Sequence, residues 1–202
     1  MKTYTILKAA APFDWKNVRK LAIDTPYMDT PSHISAEGKI AYDDTALYIH
    51  LSTKEKDYLK TRTGLLDEPC ADSCLEFFFR PMEFDKRYMN IEYNANGCMY
   101  IGLGTCLDDL VRIIPDTPAA EIFTPRITEH DDGWEIEYRI PVSFVRRFFP
   151  GFRLEEGKTI RANCYKCADE SVPPHYMSWS PILEDKLTTF HQSEFFGEMI
   201  LS

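Results

Sequence analysis

The chain has 202 residues, of which 44% are hydrophobic, and a formal net charge of −9. This length and composition predict one globular domain, residues 1–202, with a full hydrophobic core. The 32 acidic residues outnumber the 23 lysines and arginines, which argues against binding a phosphate backbone, and no apolar run is long enough to cross a bilayer. We therefore expect neither nucleic acid nor a membrane as a partner, and the composition leaves the oligomeric state open.

The N-terminus and the cysteines bear on the cellular compartment. Lys8 interrupts the apolar stretch between Ile6 and Ala11, so the N-terminal segment lacks the apolar core of a signal peptide. The sequence as written is therefore expected in the cytoplasm, or in the periplasm or outside the cell if a leader has been removed. The six cysteines would suit disulfides in an exported domain, but a chain of this length does not need them for stability.

Short strand patterns separated by hairpin turns dominate the chain. In chain order, the predicted strands are 39–42, 46–51, 75–79, 88–94, 98–103, 122–128, 134–140, 160–166 and 198–201. Three pairs of these strands flank short turns, at 43–45, 95–97 and 131–133. Asn96-Gly97 in the second turn favours the positive φ angles that a hairpin requires.

Helical patterns are scarce. Asp14 is a predicted N-cap for a short helix over 14–18, and a second short helix is predicted over 143–148, after Pro141. Many short strands with few helices predict an all-β fold, an antiparallel β-sandwich with one or two short helices.

Alternation along the strands predicts a polar face that differs from an ordinary solvated one. Side chains at every second position point to the same face of a sheet. On three strands this rule brings together phenols and planar hydrogen-bonding groups, which suit neighbouring sugar hydroxyls. These residues are Glu76, Tyr88, Asn90, Glu92, Arg161, Asn163 and Tyr165.

A proline-bounded segment near the C-terminus supplies a candidate aromatic platform. Trp179 lies between Pro173-Pro174 and Pro181, with His175 nearby. Because proline fixes the backbone and removes a donor, the segment is predicted to be neither strand nor helix, and the indole is expected at a rim. An exposed indole beside a polar sheet face favours binding the apolar face of a sugar ring.

Five motifs in order make the chain similar to the family-9 carbohydrate-binding modules, and specifically to the family-9-like domains common in gut bacteria. The resemblance runs from about Trp15 to the C-terminus. The motifs are DSCLEFF (72–78), YMNIEYN (88–94), NCYKC (163–167), PHYMSW (174–179) and FHQSEFFG (190–197).

The resemblance implies a β-sandwich that binds saccharides, often the end of a chain, in a slot between two aromatic walls. It matches Trp179 to one wall, Glu76 to a hydroxyl-binding carboxylate, and Asn90 to a position that binds hydroxyls in some members. Cys70 stands where the second wall is usually aromatic, so that Tyr58 or another ring of the 54–69 loop would have to substitute.

The resemblance also implies structural calcium as an optional ion, although no cofactor is required for binding. Asp43, Asp44 and Asp72 could supply its oxygen ligands. No regularly spaced calcium loop accompanies them.

The residues leave other functions open. Glu76 and Glu92 are a potential acid pair of a glycoside hydrolase, but on an open sheet face both are expected to be solvated and of ordinary acidity. A four-thiolate zinc site from Cys164-x-x-Cys167 and Cys70-x-x-x-Cys74 is disfavoured because Cys164 points to the core. Two further alternatives are an interaction module that has lost sugar binding at Cys70 and a haem domain. The haem candidates are His50, Met89, His175, Met177 and His191.

Overall fold

The structure, a computed structural model, describes residues 1–9, 14–183 and 189–202. Its strands are β1 (Thr3–Lys8), β2 (Leu21–Ile23), β3 (Thr25–Tyr27), β4 (Ser35–Tyr42), β5 (Ala46–Lys54), β6 (Cys74–Arg80), β7 (Tyr88–Asn94), β8 (Met99–Gly104), β9 (Val111–Arg112), β10 (Arg126–His130), β11 (Gly133–Pro141), β12 (Thr159–Ala168), β13 (His175–Ser178) and β14 (Gly197–Leu201). The α-helices are α1 (Ala119–Phe123) and α2 (Val142–Val145). Short 3₁₀ helices cover Trp15–Asn17, Pro69–Ala71, Leu107–Asp109 and Ser193–Phe195. In the described parts of the chain, no helix has the length and apolar character to span a membrane.

The strands form two curled sheets that one strand joins. The first sheet has the order β14-β12-β6-β7-β8-β9, with β13 on β12 and β3 on β13. The second has the order β10-β11-β5-β4, with β2 on β4. Strand β1 pairs in parallel with β14 through its first residues and with β4 through Leu7 and Lys8. The predicted antiparallel β-sandwich is thus confirmed, with β1 adding a parallel connection between the sheets.

The hydrophobic core lies between the two sheets, and strand alternation selects its members. Leu75, Phe77 and Phe79 of β6 point inward and are fully buried. Trp134, Ile136, Tyr138 and Ile140 of β11 meet them from the second sheet. Burial of these aromatic and branched side chains supplies the main stabilising free energy, because each removes a large apolar area from water.

Two local predictions were wrong. The segment around Pro173 and Pro174 contains a strand, β13, which begins directly after the prolines and pairs with the end of β12. The prolines precede the pairing residues, so they remove no ladder hydrogen bond. Residues 122–123, predicted as strand, end the helix α1, where buried Phe123 packs edge-on against Phe144 at 4.9 Å between ring centroids.

A buried ionic network fastens the two sheets together at one end. Glu55 follows β5 of the second sheet, whereas Lys166 lies in β12 of the first, and the ammonium Nζ is 3.1 Å from Glu55 Oε2. His175 Nε2 lies 3.1 Å from Glu55 Oε1. The Ser73 hydroxyl donates to Glu55 at 2.6 Å and accepts from the Trp134 indole N–H at 2.9 Å.

The network keeps Glu55 ionised. Burial by itself would raise the pKa of the Glu55 carboxyl, but the hydrogen bond from His175 and the charge of Lys166 outweigh it and lower the pKa to about 2. Lys166 is completely buried and also donates to the Cys167 carbonyl at 2.7 Å. Removing one partner would therefore leave an uncompensated charge inside the protein.

We expect Lys166→Met to lower the free energy of unfolding by about 3–5 kcal/mol, because it leaves Glu55 buried without its cation. The matched control is Lys20→Met, which breaks the exposed pair of Lys20 with Glu37 and should change stability by less than about 1 kcal/mol. Urea denaturation of both variants measures the difference. Equal effects would contradict a role for the network in joining the sheets.

Candidate functional site

The outer face of the first sheet carries the candidate site, and strand register sets out its side chains in rows. Residues directly opposite one another in a ladder share a face of the sheet. One row is Tyr165, Glu76, Glu92 and Tyr100, from β12, β6, β7 and β8. The adjacent row is Tyr176, Cys167, Cys74 and Asn94, from β13, β12, β6 and β7.

The C-terminal segment covers one part of this face. A second hydrophobic cluster forms beneath it, with Phe190 stacked on Tyr165 at 4.2 Å between ring centroids. Its buried members are Tyr27, Phe78, Tyr88, Tyr165, Ile182 and Phe196. The phenols that the sequence placed on an open polar face are therefore removed from solvent.

The uncovered part of the face is a cavity of about 500 Å³. Four acidic side chains contribute to it, and none of the described lining residues is a lysine or arginine. The lining residues are Met28, Glu68, Cys70, Glu76, Glu92, Tyr100, Leu107, Leu110, Cys167, Asp169, Tyr176, Thr189, Phe190 and His191. The cavity therefore combines an acidic floor with aromatic and aliphatic walls.

Glu76 and Glu92 form the floor as a directly opposed pair on β6 and β7. They are only 3% and 5% exposed, so the expectation of solvated carboxylates with ordinary acidity was wrong. Burial raises the pKa of Glu76 to about 7, although a hydrogen bond from the Cys167 thiol at 2.8 Å opposes the rise. Burial and the charge of Glu76 raise the pKa of Glu92 well above its ordinary value.

Tyrosine rings stand on opposite sides of the acidic floor. Tyr100 lies on β8 and Tyr176 on β13, four strand spacings away, which places their backbones about 19 Å apart across the sheet. The Arg112 guanidinium lies 4.6 Å from the centre of the Tyr100 ring. Phe190 packs edge-on against Tyr176 at 6.0 Å. Both tyrosines are half-buried, so each is held in place while part of it faces the cavity.

Trp179 is not at a rim, and its predicted role as a sugar platform was wrong. The side chain is 3% exposed and belongs to the core between the sheets. Its ring meets Tyr4 edge-on at 6.4 Å. A Cβ at residue 197 would come within 2.5 Å of the indole, so Gly197 is needed for this packing. Trp179 directly follows β13, and the alternation of that strand points its side chain toward the core. Its backbone N–H donates to the Cys164 carbonyl at 2.9 Å.

Asn90 and His175 were also predicted to touch the ligand, but they act behind the cavity. Asn90 is fully buried and donates to Glu92 Oε1 at 2.6 Å, so it positions that carboxyl. His175 points to the core, where it contacts Glu55 and Lys166 in the buried network. Neither lines the cavity.

The remaining predicted contacts stabilise the covering segment. Asn163 accepts from the Ser180 N–H at 2.8 Å. Arg161 donates to the carbonyls of Phe196 and Glu194. The Tyr88 hydroxyl is hydrogen-bonded to His191, and that of Tyr165 donates to Phe190. Of the nine predicted ligand contacts, the cavity includes Glu76 and Glu92.

Residues that the sequence interpretation missed complete the site. Tyr100 is opposite Glu92 in the β7–β8 ladder, so alternation on β8 could have identified it. Tyr176 precedes Trp179 in the same motif, and only knowledge of β13 distinguishes their faces. Cys70, at the position of the expected second wall, lines the cavity, whereas Tyr58 packs on the main core and donates to Glu129 at 2.5 Å.

The carboxylates suggested for calcium are engaged in separate local contacts. Asp72 is fully buried and accepts from the backbone N–H groups of Thr61 and Arg62, each at 2.7 Å. Asp43 closes the β4–β5 turn by accepting from Thr45, and Asp44 pairs with Lys8. Calcium binding by these residues stays a prediction.

One compact group of metal-ligating atoms does exist on this face of the sheet, and two of its members, Glu76 and Cys167, line the cavity. Among the described residues, Cys74, Glu76 and Cys167 are the only three His, Cys, Asp or Glu side chains whose ligand atoms all lie within 4.8 Å of one another. Cys164 points to the opposite face of β12 and is buried in the core, as the alternation predicted. The haem candidates are also separated, since His50 pairs with Glu135 on the second sheet and Met89 lies in the core.

Comparisons with known proteins agree with the motif resemblance. The model for carbohydrate-binding family 9 matches residues 8–201. A proposed carbohydrate-binding protein from Bacteroides uniformis is 26% identical, with a TM-score of 0.83 over 100% of this chain and 99% of that one. No curated protein matches the chain.

Two structures of a family 9 module from Caldicellulosiruptor kristjanssonii share the fold. The complex with glucose is 14% identical, with a TM-score of 0.69 over 100% of this chain and 96% of the other. The complex with cellotriose is 15% identical, with a TM-score of 0.68 over 100% and 94%.

The raised pKa of Glu76 predicts a stability that falls as the pH rises. The folded state holds the Glu76 proton more tightly than the unfolded state, so the carboxyl is least costly to bury below its ordinary pKa of 4.5, and that advantage is lost as the pH passes about 7. The expected loss of unfolding free energy between these limits is on the order of 3 kcal/mol.

Urea denaturation from pH 5 to 8, in buffer containing EDTA so that no cation alters the carboxyl, measures this dependence. The fall should be smaller in Glu76→Gln, which stays neutral. Glu83→Gln, in the exposed turn after β6, should behave as the wild type does. A Glu76→Gln variant with an unchanged pH profile would show that Glu76 is not the titrating group.

Proposed function

The chain belongs to carbohydrate-binding family 9, and we propose that it binds a saccharide, without cleaving it, in the cavity over Glu76 and Glu92. The observation that carries the proposal is the opposed carboxyl pair at the base of a cavity with tyrosines on its two sides. Saccharide sites need both features, since hydroxyls require planar hydrogen-bonding groups and the C–H faces of the ring require apolar surface.

The acidity of the pair suits hydroxyl recognition. A sugar hydroxyl both donates and accepts, and a carboxyl pair that retains a proton near neutral pH offers a donor together with acceptors. Asn90 holds Glu92 and the Cys167 thiol holds Glu76, so the oxygens are oriented before a ligand arrives. Such preorganisation lowers the entropic cost of binding.

Tyr100 and Tyr176 replace the expected aromatic walls in this proposal. Both line the same cavity as Cys70, so the loss of an aromatic residue at position 70 does not leave the site without rings. The family 9 structures solved with glucose and with cellotriose make a glucose unit or the end of a glucan chain the first ligands to test.

We expect calorimetric titration with glucose and cellotriose to detect binding that depends on these two tyrosines. Tyr100→Ala and Tyr176→Ala should each weaken it by about five- to 150-fold, by analogy with the 1–3 kcal/mol of base–aromatic stacking. Tyr58→Ala is the matched control, because Tyr58 is half-buried outside the cavity. A glycan array extends the search to other sugars. Binding that survives both cavity variants but not Tyr58→Ala would contradict the assignment.

Glycoside hydrolysis is the second candidate, favoured by one observation: two buried carboxyls with raised pKa values lie opposite each other on adjacent strands. Retaining glycosidases place their carboxyl groups about 5–5.5 Å apart, but they need one of the two ionised as the nucleophile. Here burial raises the pKa values of both carboxyls. Binding without hydrolysis therefore agrees better with the electrostatics.

Incubation with cellotriose and with aryl glycosides between pH 5 and 8 should yield no product above the level found with Glu76→Gln. The measurement is chromatography of released sugars at enzyme concentrations high enough to detect a few turnovers. Product release by the wild type that is lost in both Glu76→Gln and Glu92→Gln would replace the binding proposal with the catalytic one.

A further inference from the structure

Two cysteines and a glutamate from two strands meet at the cavity: Glu76 and Cys167 line it, and Cys74 is buried beside them. Cys74 and Cys167 are directly opposed in the β6–β12 ladder, and Glu76 is the next residue along β6 on the same face. The three side chains are 0%, 2% and 3% exposed, in the order Cys74, Cys167, Glu76. Their ligand atoms all lie within 4.8 Å of one another.

This arrangement is close to what a tetrahedral metal requires. Zinc binds thiolate sulfur at about 2.3 Å and carboxylate oxygen at about 2.0–2.2 Å, so its ligand atoms lie about 3.5–3.8 Å apart. The Cys167 thiol already contacts Glu76 Oε1 at 2.8 Å. Small side-chain rotations would therefore open the group around an ion, with no change in the paired backbone.

The surroundings favour a dication. Glu92 is opposite Glu76, and Asp169 and Glu68 line the same cavity, where none of the described lining residues is cationic. Lys166, the nearest buried ammonium in sequence, points to the other face of β12 and is paired with Glu55. The negative field of this cavity would attract a free dication, and the charge of a bound Zn²⁺ would balance the two thiolates formed when it binds.

We propose that Cys74, Glu76 and Cys167 form a zinc site with three protein ligands and a fourth position open to the cavity. Two thiolates with one carboxylate favour zinc over calcium, because calcium takes oxygen ligands only. Both thiol protons and any proton on Glu76 leave as the metal binds. The open position then accepts water or a ligand oxygen from the cavity. The inference does not rest on saccharide binding.

The structure also accounts for why the four-cysteine site considered from the sequence does not form. Cys164 and Cys167 are three residues apart on one strand, so they lie on opposite faces. Cys164 is in the core between the sheets, whereas Cys167 lines the cavity. The register between β6 and β12 instead brings Cys74, Glu76 and Cys167 together, so that a carboxylate takes the place of a third thiol.

Titration of the full chain with Zn²⁺ alone tests the proposal. Protein reduced and stripped with EDTA, then freed of chelator, should bind one Zn²⁺ by calorimetry. Co²⁺, used as a spectroscopic substitute, should give a thiolate-to-cobalt charge-transfer band and the visible bands of tetrahedral coordination. Cys74→Ser, Cys167→Ser and Glu76→Gln should each weaken binding by more than the roughly 10- to 100-fold that loss of an outer-shell partner costs. Cys106→Ser, at an exposed cysteine outside the cavity, should bind as the wild type does.

A second measurement uses the wild type only, so that it stands even if a variant fails to fold. Burial raises the pKa of Cys74 to about 12 and that of Cys167 well above its ordinary value, so both are thiols before binding. Zn²⁺ should therefore release at least two protons per ion at about pH 7.5. Absence of stoichiometric binding, release of fewer than two protons per ion, or a cobalt charge-transfer band that persists in a Cys74→Ser/Cys167→Ser double variant would overturn the proposal. Because no sugar is present, these failures leave the saccharide proposal untouched.

Discussion

The buried contact of Lys166 with Glu55 is the constraint on which the site depends. It joins the end of β12 to the segment after β5 and so fixes how the two sheets meet. Lys166 occupies the core face of β12, and its neighbour Cys167 consequently occupies the cavity face. His175 repeats this relation on β13, where Tyr176 is the neighbour. Two cavity residues thus owe their orientation to charges buried on the opposite side of the same strands.

The segment that ends the chain decides how much of the sheet face is left open. Phe190 and Phe196 join Tyr88 and Tyr165 in a second hydrophobic cluster. This cluster turns a broad face into a bounded cavity, because the covered half is filled by rings and the other half keeps the carboxyl pair. Aromatic side chains here act as structural filler in one half of the face and as cavity walls in the other.

Much of the fold follows from the sequence, and less of the site does. Period-two alternation correctly placed Glu76 and Glu92 on one face, because the face of a strand residue depends on local geometry alone. The prediction of an exposed Trp179 was wrong because the environment of the indole depends on β13. The pairing of β13 with β12 cannot be read from the residues next to Trp179. Strand β1 was also missed. Its two parallel partners lie more than 30 residues away, and parallel pairing leaves no hairpin turn in the sequence by which it could be predicted.

The two chemical features of the cavity floor influence each other. Without a metal, Glu92 resists ionisation because it is buried beside Glu76, so the floor presents protons to a ligand. A zinc ion held by two thiolates and the Glu76 carboxylate would leave the group with a net charge of −1, so the pKa of Glu92 would stay raised by burial and by this charge. Glu76 would then be occupied by the metal and the open zinc position would accept a ligand oxygen, while Glu92 keeps its proton and the tyrosines stay in place. Ring stacking would then be common to both states, whereas the preferred pattern of hydroxyls would depend on whether the metal is bound.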